Sequence, residues 1–232
     1  MKKILYSVAL AACCMGTMTS CSDFLDASNK SNVTDKQTFA TKEGFNSLVN
    51  DAYQHLQNVY AAPLFTSCFS AGTDMYADAR NKMNEPLNTY ETLTPENTDI
   101  KNLYTYLYAG IRAANSVSYY AQTAQIDAKT KGQLVGEARV LAAYEYYLLV
   151  NNFGGVPIMK DFLTTAGTGY PKSSAADVYA YIISELEDVI SKNVLQASTA
   201  TKGGGRISQE TAKAILAKTY LSAAWDLNKQ EY

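Results

Sequence analysis

The chain is predicted to be all-α, an irregular tetratricopeptide-like helical-repeat scaffold with long loops, and three observations predict it. Five segments carry apolar residues at a spacing of three and four, the period of one helix face. No segment sustains the period-two alternation of a half-buried strand. Alanines at 138, 142, 143, 212, 214, 217, 223 and 224 would permit the close approach of paired helices. A strict repeat is absent, because the helix centres near 110, 142, 184 and 216 are unevenly spaced and the regular array has a fixed period.

The N-terminus comes first. Met1-Lys2-Lys3 is a basic start, Ile4 to about Cys14 is apolar, and small and polar residues lead to Cys21. The apolar run is too short for a spanning helix, which needs about 20 residues. Residues 1–20 read as a lipoprotein signal peptide. Met18-Thr19-Ser20-Cys21 resembles a relaxed lipobox, with Cys21 the lipidated first residue of the mature chain and residues 21–40 a tether. Loss of Lys2 and Lys3, in a segment without acids, takes the net charge from −2 to −4. Of four cysteines only Cys68 is left over, too few for a disulfide or a thiolate zinc site.

Thr41 to Tyr60 is the first amphipathic helix, with Phe45, Leu48, Val49, Ala52, Tyr53 and Leu56 on its apolar face. The stretch from Ala61 to Thr92 reads as irregular. A second helix is expected to start at Thr94-Pro95-Glu96, with Leu103, Leu107, Ile111, Ala114 and Val117 as its row. Thr130-x-x-Gln133 reads as the capping box of a third helix, which is apolar over most of its girth through Leu149 and therefore internal. Gly154, able to take a left-handed conformation, and Pro157 end it. After a loop over 160–172, Ser174-x-x-Asp177 caps a fourth helix on Val178, Ile182, Leu186 and Val189. A polar loop follows from Ser191 to Gly205. Ser208 opens a fifth helix, which carries Trp225 and Leu227 on an apolar face that is expected to be unpaired.

The chemistry-bearing residues are few. A net charge of −2 gives no reason to expect nucleic acid. One histidine, His55, cannot assemble a zinc site, and it reads as structural or solvated rather than catalytic. Glu137 and Glu145 lie about two turns apart on the third helix, which raises a glycosidase. The plainer reading pairs them with Arg139, Arg112 or a neighbouring helix's backbone. Gly203-Gly204-Gly205-Arg206 lacks the terminal residues of a P-loop, and no strand precedes it, so it reads as a flexible entry loop. No cofactor or metal is expected. Eighteen tyrosines against one tryptophan suit helix contacts with a wet edge and also suit stacking on sugars. The segment Ala71 to Tyr90 is the binding candidate: Asp74, Tyr76, Arg80, Asn81 and Tyr90, with Asp78 and Asn84, interleave aromatic faces with polar groups that suit hydroxyl-rich ligands.

Four blocks in order resemble the SusD/RagB family of outer-membrane nutrient-binding lipoproteins of Bacteroidetes. They are Cys21-Ser22-Asp23-Phe24-Leu25-Asp26; Leu107-Tyr108 with Ile111 and Ala114-Asn115; Glu137-Ala138-Arg139-x-Leu141-x-Ala143-Tyr144 with Phe153-Gly154-Gly155-Val156-Pro157; and Gly205-Arg206 with Ala212-x-Ala214-x-Leu216-Ala217-Lys218-x-Tyr220-Leu221. The resemblance implies a surface lipoprotein, anchored to the outer membrane through Cys21 and facing the cell exterior, with Asp23 as an acidic export signal. It implies an oligosaccharide ligand, or a peptide in some branches, delivered to a SusC-like TonB-dependent transporter without catalysis. The 71–90 loop would contribute to the ligand site. Residues 41–232 would form the SusD-like helical domain, lacking the C-terminal portion that family members of about twice this length carry. The rival expectation is a tetratricopeptide-like module that binds protein and no sugar.

Overall fold

The computed structural model describes residues 35–61, 63–76, 85–165, 167–198 and 205–228. Among them are seven α-helices and no strand. These are α1 (Asp35–Thr38), α2 (Lys42–Tyr60), α3 (Glu85–Thr89), α4 (Thr98–Tyr120), α5 (Ala128–Phe153), α6 (Ala175–Lys192) and α7 (Gln209–Asp226), with a π-helical turn at Thr66–Ser70 between α2 and α3. The segment expected to be a signal peptide, Cys21 and the expected tether through Thr34 lie outside the described residues.

The long helices pack in a row: α2 on α4 and α5, α4 on α5, α5 on α6, α6 on α7. Helix α5 therefore has neighbours on several sides, which is why its burial runs from Leu134 through Val150 with few breaks. One continuous core joins Phe45 and Val49 of α2, Leu107 and Ile111 of α4, Leu141 and Leu149 of α5, and Ile182 and Leu186 of α6. No described helix is long and apolar enough to cross a membrane.

The caps agree in part with the sequence. Ser174 and Asp177 form the reciprocal capping box, and Ser208 accepts from the Thr211 N–H. At α4 the cap is Asn97, whose side chain accepts from the Asp99 and Ile100 N–H groups, and Thr94-Pro95-Glu96 forms a turn before it. At α5 the cap is Asp127, which accepts from the Thr130 N–H at 2.9 Å, so Thr130 is a recipient and not the cap. In both places a carboxylate or amide oxygen reaching the free N–H groups takes precedence over a nearby threonine. Ala61 to Thr92 is less irregular than its sequence suggests, since it contains the π turn and α3.

The exit from α5 is built by two glycines with different tasks. Gly154 has φ 67° and ψ −134°, a region essentially confined to glycine and distinct from the left-handed helical cap expected there. Gly155 has close contact on its empty side: a Cβ there would lie 2.2 Å from the Ser173 carbonyl oxygen. The Ser173 N–H donates to the Val156 carbonyl at 3.2 Å, so the chain entering α6 lies against the chain leaving α5. Because the obstacle is backbone, no rotamer change relieves it. Gly155→Ala is expected to cost about 3 kcal/mol, the upper end for overpacking, as read from the urea unfolding midpoint. A loss below about 0.5 kcal/mol, the range of a neutral surface change, would show that this contact gives way.

Candidate functional site

The buried ionic groups decide whether α5 is a site or a scaffold. Glu137 is fully buried, and its carboxylate receives Arg206 Nε at 2.7 Å, the Tyr53 hydroxyl at 2.9 Å and Gln133 Nε2 at 3.0 Å. Arg206 also donates to Asn50 Oδ1 at 2.9 Å and lies 5.3 Å over the Tyr53 ring, while Tyr53 accepts the Ile207 N–H at 2.8 Å. The residues expected to pair with the α5 acids do not. Arg139 instead bridges α5 to α6 through Glu185 at 2.7 Å and Asp188 at 2.5 Å. The exposed Arg112 lies 5.2 Å over the Phe162 ring. Glu145 is fully buried and finds no hydrogen-bond partner among the described residues. Its carboxyl occupies the space a side chain at Gly110 would fill, with Oε1 1.8 Å from a Cβ built there. Burial pushes that carboxyl well above the ordinary carboxylate range. Two acids, one saturated with donors and one sealed away from solvent, bound no open cleft between them.

His55 stands 3.9 Å from Asp51, four residues earlier on the same helix. Burial, with a smaller push from Asp99, raises the Cys68 thiol to about 11, so it stays protonated at neutral pH. Among the described residues no group of His, Cys, Asp and Glu could hold a metal ion.

The sequence-predicted binding segment is partly described. Arg80 and Asn81, with Asp78 and Asn84, lie outside the described residues. Asp74 is exposed in a turn, and Tyr76 is half-buried. Tyr90 is 58% exposed with φ 63°, and its hydroxyl lies against Gly72, 2.2 Å from where a Cβ would stand. The Gly72 N–H donates to Asn88 Oδ1 at 3.4 Å. The two ends of the segment therefore meet, bringing Tyr90 to the turn that carries Asp74.

The structure adds a cleft of about 360 Å³ that the sequence did not single out. One wall is the α4 row Tyr108, Arg112 and Asn115, spaced four and three apart on one face; the other is the loop after α5, with Asp161, Thr164 and Tyr170. The floor is pinned by side-chain bonds to the exit backbone. Tyr108 donates to the Pro157 carbonyl at 2.7 Å, Asn115 Nδ2 to the Met159 carbonyl at 2.8 Å, and the Met159 N–H to the Tyr146 hydroxyl at 2.6 Å. The spacing of Tyr108, Arg112 and Asn115 was legible as one helix face. The loop residues carried no signal of their own, since only the fold sets them opposite that face.

Fold and site together define a helical-array scaffold with no assembled catalytic or metal constellation among the described residues, and with polar and aromatic groups open on its loops and on one face of α4. Residues 23–221 match the SusD-like family described as starch-binding, associating with the outer membrane. The chain belongs to that family. A SusD-like protein of Formosa agariphila is 27% identical over 190 residues, covering 80% of this chain and 36% of the relative. One of Bacteroides ovatus is 24% identical over 212 residues, covering 89% and 37%. The chain thus spans little more than a third of the length of these curated relatives. Surface glycan-binding protein A from Bacteroides uniformis superposes with a TM-score of 0.67 at 25% identity, over 81% of this chain and 44% of that one. A laminarin-binding SusD-like protein shares the fold, with a TM-score of 0.69 at 22% identity over 82% and 42%.

Proposed function

We propose that this chain is the helical scaffold of a lipid-anchored cell-surface protein that binds oligosaccharides without catalysis and passes them to a SusC-like TonB-dependent transporter. The observation that carries this reading is the match of residues 23–221 to a starch-binding, outer-membrane-associated family. Two structural relatives whose names state glycan or laminarin binding agree with it. In this reading Cys21 is the anchor, and Asp74, Tyr76, Arg80, Asn81 and Tyr90 contact the sugar. Aromatic rings take the apolar C–H face of a pyranose, and amide, carboxylate and guanidinium groups take its hydroxyls.

Isothermal titration of the full chain against a panel of neutral linear oligosaccharides is expected to give saturable binding to at least one class without release of shorter products. Absence of binding across the panel would end the glycan reading in favour of a protein-only module. The anchor has its own check. The chain is expected in the outer-membrane fraction, and Cys21→Ala is expected in the soluble fraction; equal partition of the two would remove lipidation from the account.

A further inference from the structure

We infer that the cleft between α4 and the loop after α5 is a saccharide subsite in its own right, separate from the 71–90 segment. This rests on the glycan-binding reading and assigns it a second place on the molecule. Four observations carry it. The first is size: about 360 Å³ lies at the small end of ligand pockets, enough for about one sugar ring. The second is its apolar surface, to which Tyr108, Tyr170 and Met159 contribute. The Tyr108 ring cannot swing away, because its hydroxyl is spent on the Pro157 carbonyl.

The third is the rim. Arg112 and Asp161 are both exposed at the cleft, and among the described residues neither forms an ion pair, so a fork of donors and a pair of acceptor oxygens remain open. Asn115 has committed its amide nitrogen to the Met159 carbonyl, which leaves Oδ1 as an acceptor, and the Thr164 hydroxyl adds a group that can donate or accept. The fourth is Tyr170 itself. It is 41% exposed, and its hydroxyl lies over Gly167, 2.2 Å from where a Cβ would stand, so the bare glycine backbone leaves the end of the ring its place in the wall.

An apolar surface ringed by neutral-sum donors and acceptors fits a neutral sugar.

The test uses the full chain, the same oligosaccharide panel, and Tyr170→Ala, Arg112→Met and Asp161→Asn. All three replaced side chains are exposed, so each variant is expected to keep the wild-type melting temperature. Tyr170→Ala and Arg112→Met are each expected to weaken binding at least about tenfold, as loss of a stacking or charge-assisted contact does. Wild-type affinity in folded Tyr170→Ala and Arg112→Met would overturn the subsite and leave the glycan reading intact. Absence of saccharide binding by the wild-type chain would overturn both. Should a variant unfold, perturbation by the sugar of amide resonances at 108–115 and 161–170 in the wild-type chain decides instead, and unmoved resonances there overturn the subsite.

Discussion

Replacing Arg206 by methionine is expected to destabilise the fold by about 3 kcal/mol or more, the cost of leaving a buried carboxylate without its counter-charge. Glu137 is fully buried, whereas the Arg206 side chain keeps a quarter of its exposure. The two halves of the pair are therefore not equivalent. Without Arg206, Glu137 retains only the neutral donors Tyr53 and Gln133. Without the Glu137 charge, Arg206 still reaches Asn50, the Tyr53 ring and water. Glu137→Gln should thus cost less, about 1–2 kcal/mol, and the double variant should recover part of the Arg206→Met loss. Urea unfolding of the three variants reads the order directly. Equal losses in the two single variants would mean that the carboxylate is better solvated than its burial implies.

The second large effect has the opposite sign. Glu145 is sealed against Gly110 with no partner for either oxygen among the described residues, and burial holds its pKa well above normal. In the unfolded chain it titrates near an ordinary glutamate, at about 4.3. Between that value and the raised folded one, the folded state binds the proton that the unfolded state has released. Stability is then fully present below the unfolded pKa and is lost as pH rises, by about 1.4 kcal/mol per pH unit within the window. Glu145→Met, which fills the same space without a titrating group, is expected to be more stable than the wild type at pH 8. The advantage should shrink toward pH 4, where only the neutral carboxyl's missing hydrogen bonds remain, worth about 1–3 kcal/mol. Parallel pH–stability curves for the two proteins would place a partner at Glu145 and refute the account.

How much of this was legible in the sequence differs by kind of interaction. Periodicity located every long helix, because burial of one face is a local pattern. Ser174 with Asp177, and Ser208, were legible as caps because the bonds close within one turn. The starts of α4 and α5 were displaced by three residues, since Thr94 competes with Asn97 and Thr130 with Asp127, and residue type alone does not say which oxygen meets the free N–H groups. That Gly154 and Pro157 end α5 was legible. Why the exit needs two glycines was not, because the Ser173 carbonyl that crowds Gly155 belongs to a later part of the chain. Long-range pairing was the least legible. Arg206 follows a glycine run that reads as a solvent loop, yet it reaches Glu137 from 69 residues away in sequence to join α2, α5 and the entry to α7. Trp225 stands 87% exposed as expected, whereas Leu227 packs against the core.

These features assign the two parts of the chain different roles. Helix α5 is a scaffold whose acids are buried, and the proposed binding groups lie on the segment ending at Tyr90, on the loop ending at Tyr170 and on the α4 face opposite that loop. Amide hydrogen exchange of the full chain, with and without the oligosaccharide that titration identifies, tests that division directly. Added protection is expected over 72–90 and 158–170, with the α5 core from Glu137 to Val150 unchanged. Saturable binding that protects 137–150 while leaving both loops unaltered would contradict it.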